Sequence, residues 1–194
     1  MEKKGIIALA LLCALYGNSS AQKDSAKVYV HKGMLSATLT YSVGYMSSYA
    51  IYNVYVTGYM EYYTGSKISV RGDVYYFINS LNDSKFLKQN HRLYFGACYN
   101  FQVHSHLDPF IGFQPGIAYT QTESWYGVTD PATFSPLASA VTGLNYYAER
   151  WFHILLNVRY AVGKHLDDVA LFNLNEVSFS FGLGFNIDVQ KRKS

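Results

Sequence analysis

Cysteine is almost missing from this chain. Two occur in 194 residues, Cys13 and Cys98, and the first lies in an apolar leader. The mature protein then has a single thiol, and no internal disulfide can staple it. Charge is scarce too. Asp, Glu, Lys and Arg supply 15% of the residues, against roughly 25% in an average globular domain. The net charge is +3, much of it in a terminal Lys-Arg-Lys and near the start, so no basic surface for nucleic acid is expected. Long apolar runs are also lacking. Nothing beyond residue 21 could cross a bilayer as a helix.

The leader itself is informative. Lys3 and Lys4 precede the apolar run 5–16, which is too short to span a membrane. Ser19 and Ala21 then occupy the small-residue positions before a cut. This reads as a secretory signal peptide over 1–21, cleaved near Ala21–Gln22, with 22–194 as one domain. Leu12 stands before Cys13, where a lipidation site wants a small residue.

Aromatic residues are abundant. Nineteen Tyr, twelve Phe and two Trp make 17% of the chain, more than all the charged residues together. An exported chain with few charges, many tyrosines and no membrane helix suggests a transmembrane β-barrel.

The hydrophobic pattern agrees. In residues 176–189, Val177, Phe179, Phe181, Leu183, Phe185, Ile187 and Val189 alternate with Ser178, Ser180, Gly182, Gly184, Asn186 and Asp188. A period of two marks a strand with unlike faces. The same alternation recurs over 35–45, 53–63, 68–78, 92–103, 110–120 and 154–163, and more weakly over 137–147, where Val141 breaks the frame. Eight strands of about ten residues each have the length that crosses a bilayer when tilted. The connections 64–67, 104–109 and 148–153 are short. Those at 46–52, 79–91, 121–136 and 164–175 are mostly longer and more polar, the sorting expected of periplasmic turns and outer loops. Aromatics gather at strand ends: Tyr45, Tyr49 and Tyr52, then Tyr62 and Tyr63, then Tyr146, Tyr147, Trp151 and Phe152. Tyr and Trp favour the headgroup zone.

The polar face decides the orientation. A water-facing sheet should carry Lys and Glu, but here that face is Ser, Thr, Gly and Asn. Small residues suit a narrow interior. The bulky side chains are therefore expected to face lipid and the small polar ones the lumen. The fold expected is an all-β, eight-stranded, antiparallel up-and-down transmembrane barrel. "PFIGFQPGIAY" (109–119) and "FSFGLGFNI" (179–187) resemble the glycine-alternating strands of the outer-membrane protein β-barrel domain family, of OmpA/OmpX type. That resemblance covers the mature chain and implies a porin-like cell-envelope protein in a Gram-negative outer membrane. It assigns no activity.

Parity places Glu61, Arg71, Asp73, Arg92 and Arg159 on the lumen face, and buried charges must pair. A polar network with Asn100, Gln102, Asn145 and Asn157 is expected to plug the barrel. Arg71-Gly72-Asp73 lies mid-strand, out of reach of an adhesion receptor. His104, His106 and Asp108, and likewise His165 with Asp167 and Asp168, are too isolated to form a metal site. No catalytic constellation accompanies His165 or the distant Ser135. No cofactor and no metal are expected. Trp125, Tyr126 and Phe134 in the longest loop are candidate contacts for an unidentified extracellular ligand. The role expected is non-enzymatic, either membrane integrity or surface interaction through the loops. A narrow ion or small-solute channel is the alternative, and a membrane-embedded lipid-modifying enzyme comes after it. The partners expected are outer-membrane lipid and, during insertion, the barrel-assembly machinery. A monomer is expected.

Overall fold

The computed structural model describes residues 29–81, 87–103, 106–123, 129, 131–166 and 172–189. The leader 1–21, His104, Trp125, Tyr126, Asp167 and Asp168 lie outside them. Eight strands follow in order: β1 Met34–Met46, β2 Ile51–Tyr63, β3 Ile68–Ser80, β4 Leu87–Asn100, β5 Leu107–Thr122, β6 Thr133–Glu149, β7 Phe152–Gly163 and β8 Glu176–Asp188. Each pairs antiparallel with the next, and β8 closes on β1. Following cross-strand partners from Ser36 round the barrel returns to β1 near Met46, ten residues further along, which is a shear of ten. Closure leaves no free sheet edge, as hydrocarbon requires.

Side chains divide by parity. On β8, Phe181 is 63% exposed and its neighbour Ser180 2%. The exposed face is apolar on every strand, with Leu39, Tyr41, Phe95, Phe113, Leu156 and Phe185 among its members. This outward belt of large carbon side chains is the surface of a transmembrane barrel. Prolines lie on the outer face as well. Opposite Pro115, which has no N–H to give, the β4–β5 ladder skips Phe95 and Gly96.

Four details differ from the sequence expectation. The first connection is only 47–50, no longer than the turn 64–67. β1 continues to Met46, β2 begins at Ile51, and Tyr49 N–H donates to the Met46 carbonyl (3.2 Å). β4 spans 87–100 rather than 92–103, because Gln102 turns the chain with a φ of 49°. β6 is longer than 137–147, and Val141 fits its frame by pointing inward, 1% exposed. The interior is also bulkier than small-residue packing predicts. Tyr55, Tyr59, Tyr63, Tyr75, Tyr94, Tyr147 and Phe110 are all buried inside. Tyr63 and Tyr147 thus sit inside the barrel at its lower end rather than in the aromatic girdle.

Glycines make room for these rings. A Cβ at Gly116 would run into Tyr94, one at Gly143 would lie 2.8 Å from Phe110 Cζ, and one at Gly184 would collide with the His153 ring. Gly184→Val should therefore overpack the lower interior and cost about 1–3 kcal/mol. Urea unfolding followed by heat-modifiable gel mobility should show an earlier transition than for Phe181→Leu, whose side chain faces outward.

Candidate functional site

Among the described residues, the chemistry of this chain is concentrated in the interior. Its charged residues fall into three clusters along the barrel. In the middle, Arg71 Nε and Nη2 donate to Asp73 Oδ1 at 3.0 and 2.7 Å. Arg159 Nη2 lies 3.0 Å from the same Asp73 oxygen. Gln114 Nε2 donates to Asp73 Oδ2 at 2.8 Å. Arg159 also donates to Ser139 Oγ (2.7 Å) and to the Tyr75 hydroxyl (3.2 Å). Both guanidinium groups lie on rings, Arg71 3.5 Å from the Tyr59 centroid and Arg159 4.2 Å from that of Tyr94. Such desolvated cation–π contacts are worth up to about 2 kcal/mol each.

The upper cluster centres on Glu176. Its Oε2 receives Asn53 Nδ2 (2.6 Å), the Tyr55 hydroxyl (2.8 Å) and Arg92 Nη2 (3.2 Å). Arg92 Nε in turn donates to Asn90 Oδ1 (2.9 Å). In the lower cluster, Ser69 Oγ donates to Glu61 Oε1 and accepts from Asn100 Nδ2 (3.0 Å). The Tyr59 hydroxyl lies 3.2 Å from His153 Nε2 and 3.5 Å from Asn145 Oδ1.

Residues outside the strands pack at both ends of the barrel. At the upper end Leu174 is fully buried, and Phe172 stacks on Tyr49 with centroids 4.2 Å apart and planes 4° off parallel. His165 Nδ1 bonds Thr120 Oγ1 at 2.6 Å. At the lower end, the segment before β1 crosses the opening. Val30 packs with Met34, Tyr63 and Tyr147, and the Tyr29 ring lies 6.1 Å from that of Tyr147.

Of the residues proposed from sequence, Arg71, Asp73 and Arg159 are brought into direct contact, and so are Glu61 and Asn100 through Ser69. Arg92 stands apart from these with Glu176. Asn157 is buried on the inner face, and its Oδ1 has no protein partner. Gln102 lies beyond β4, where its Nε2 reaches the carbonyls of Ser66 and Val30. Phe134 belongs to β6 rather than a loop, with its ring 5.0 Å from Tyr119. His106 Nδ1 bonds the Tyr147 carbonyl (2.8 Å), while Asp108 turns inward. Ser135 is buried and its Oγ accepts the Leu166 N–H at 3.1 Å, which occupies it structurally. Among the described residues no group of three or more His, Cys, Asp or Glu converges.

Sequence reasoning passed over Glu176, Gln114, His153 and the inward tyrosines Tyr55 and Tyr94. A signal existed for Glu176: the frame of the last strand sets it on the same side as Ser178 and Ser180. It was hidden because Glu176 is the strand's first residue, where parity is hard to assign.

No family model and no curated protein sequence matches the chain. Solved structures do. The N-terminal β-barrel domain of Pseudomonas aeruginosa OprF superposes with a TM-score of 0.61 at 13% identity, covering 80% of this chain and 98% of that one. The outer membrane protein OprG from the same organism gives 0.60 at 10% identity, covering 82% and 99%. Neisserial surface protein A gives 0.58 at 14% identity, covering 80% and 96%. The chain thus has the fold of the small outer-membrane β-barrels.

Proposed function

We propose that this protein is a non-enzymatic integral barrel of a Gram-negative outer membrane, exported by a signal peptide cut near Ala21. In this reading it acts through its fold and its extracellular loops, and its lumen is closed to solutes. Asp73 carries the proposal. One carboxylate held between two arginines at mid-barrel, with tyrosine rings against both guanidinium groups, fills the bore with side chains in contact with one another. An eight-stranded barrel is about wide enough for side chains alone. The two ends support the same reading, since Leu174 is buried at one and Val30 at the other. Ser135 and His165, the nearest approach to a hydrolytic pair, are spent on structural bonds. The loops remain for contact with a partner. In this reading the barrel is a monomer, inserted by the barrel-assembly machinery and surrounded by outer-membrane lipid.

Planar-bilayer recordings of the refolded protein should show no stable openings. Stable conductance that changes on substitution of Arg71 or Arg159 would replace the closed-lumen reading with a narrow channel. Asp73→Asn should strand two buried guanidinium groups and cost about 3–5 kcal/mol. Its urea midpoint should fall well below that of the wild type, and its interior should be the first to conduct.

A further inference from the structure

The buried charges do not cancel. Among the described residues, three buried arginines, Arg71, Arg92 and Arg159, face four buried carboxylates, Glu61, Asp73, Asp108 and Glu176. Arg92 is matched by Glu176, and Arg71 and Arg159 share Asp73. Glu61 and Asp108 form no ion pair of their own. Both lie in the lower lumen, each 1% exposed.

The oxygens left over come from the same region. Glu61 Oε2, Asn100 Oδ1 and Asp108 Oδ2 are buried and have no hydrogen-bond partner. Ser69 Oγ ties Glu61 to Asn100 by bonding both. Asp108 Oδ1 accepts the N–H of Gln102 at 3.2 Å, two residues beyond Asn100. Across the β4–β5 ladder Asn100 faces Phe110, so Asp108 is its diagonal neighbour on the inner face. Arg71 stands opposite Glu61 on the neighbouring strand but forms no ion pair with it, and its Nη1 has no hydrogen-bond partner. Its Nε and Nη2 engage Asp73, and its plane lies on Tyr59.

Two carboxylates and an amide carbonyl make an all-oxygen donor set. Calcium-sized ions take six to eight oxygen ligands, commonly mixing carboxylates, amide carbonyls and water. We propose that the lower lumen binds one hard divalent cation of calcium size through Glu61, Asp108 and Asn100, with water completing the shell. The donors sit at the lower end of the barrel, next to Gln102, whose Nε2 reaches the Val30 carbonyl. The binding energy of the ion stabilises the closed barrel.

The test uses the full barrel in detergent micelles. Urea unfolding is measured in calcium chloride and in choline chloride of equal ionic strength. Terbium serves as a second probe, excited through the neighbouring tyrosines. The proposal expects a urea midpoint that rises and saturates with calcium, and saturable terbium emission that calcium displaces. Glu61→Gln and Asp108→Asn should each weaken the apparent affinity by about tenfold or more. Glu176→Gln, in the upper cluster, should leave it unchanged. If the carboxylate variants do not fold, Asn100→Ala keeps both charges and should still weaken binding. Equal midpoints in the two salts with no saturable emission would overturn the site. So would emission that persists unchanged in the lower-lumen variants. An Asp108→Asn barrel that is more stable than wild type in both salts would show that a proton, not a metal, balances the charge.

Discussion

Oil offers no hydrogen bonds. Each backbone N–H and C=O in the hydrocarbon must find a partner in the protein, at a cost of several kcal/mol per group left bare. The pairing of β8 with β1 meets that demand for the whole sheet, because it removes the last edge. Everything else is arranged around it. Gly182 and Gly184 stand opposite Thr40 and Thr38 at this seam, so the closing strand approaches with no inward bulk. The ladder departs from regular pairing at several points, Pro115 and the stretch above Tyr75–Arg92 among them. Above Tyr75–Arg92, the Phe77 N–H turns to His91 Nδ1 at 3.2 Å, so a side chain replaces the missing backbone acceptor.

Closure creates an enclosed interior that must in turn be satisfied. The chain fills it with arginines laid on tyrosine rings and clasped by carboxylates, rather than with aliphatic side chains. A ring face and a carboxylate together replace much of the water a guanidinium gives up on burial. The glycines follow from the same packing. Gly116 is small because Tyr94 is large, and Gly143 because the Leu156 carbonyl and the Phe110 ring both crowd it.

How much of this could be read beforehand depends on which physical rule governs each feature. The strands were legible because two-residue parity is strict: a slip of one position would expose every inner polar group to lipid. The side of the wall taken by Arg71, Asp73 and Arg159 follows from the same parity. Their partners do not. Arg71 meets Asp73 on its own strand but Arg159 comes from β7, a matter of shear and of side-chain reach across the lumen. Strand ends were read less well, since parity says nothing about where a strand stops. Gln102 continues the alternation of β4, yet its positive φ takes it out of the sheet. The first loop is shorter than parity suggests for the same reason, with Tyr45 and Tyr52 pairing next to the turn (rings 4.8 Å apart). The bulk of the interior was misjudged because alternation reports which face a tyrosine takes and not how much space the glycines opposite it leave.

The segment before β1 does more than cover a mouth. Gly33, at a φ of 84°, donates to the Tyr63 carbonyl and accepts from Val189 N–H, each at 2.9 Å. His31 Nε2 reaches Asp188 at 2.6 Å. The first and last strands are thus buckled together at one corner, by residues synthesised at opposite ends of the barrel. A nascent chain cannot fasten this buckle until β8 has been made. Shortened products would keep two raw edges, an easy mark for the proteases that police the envelope.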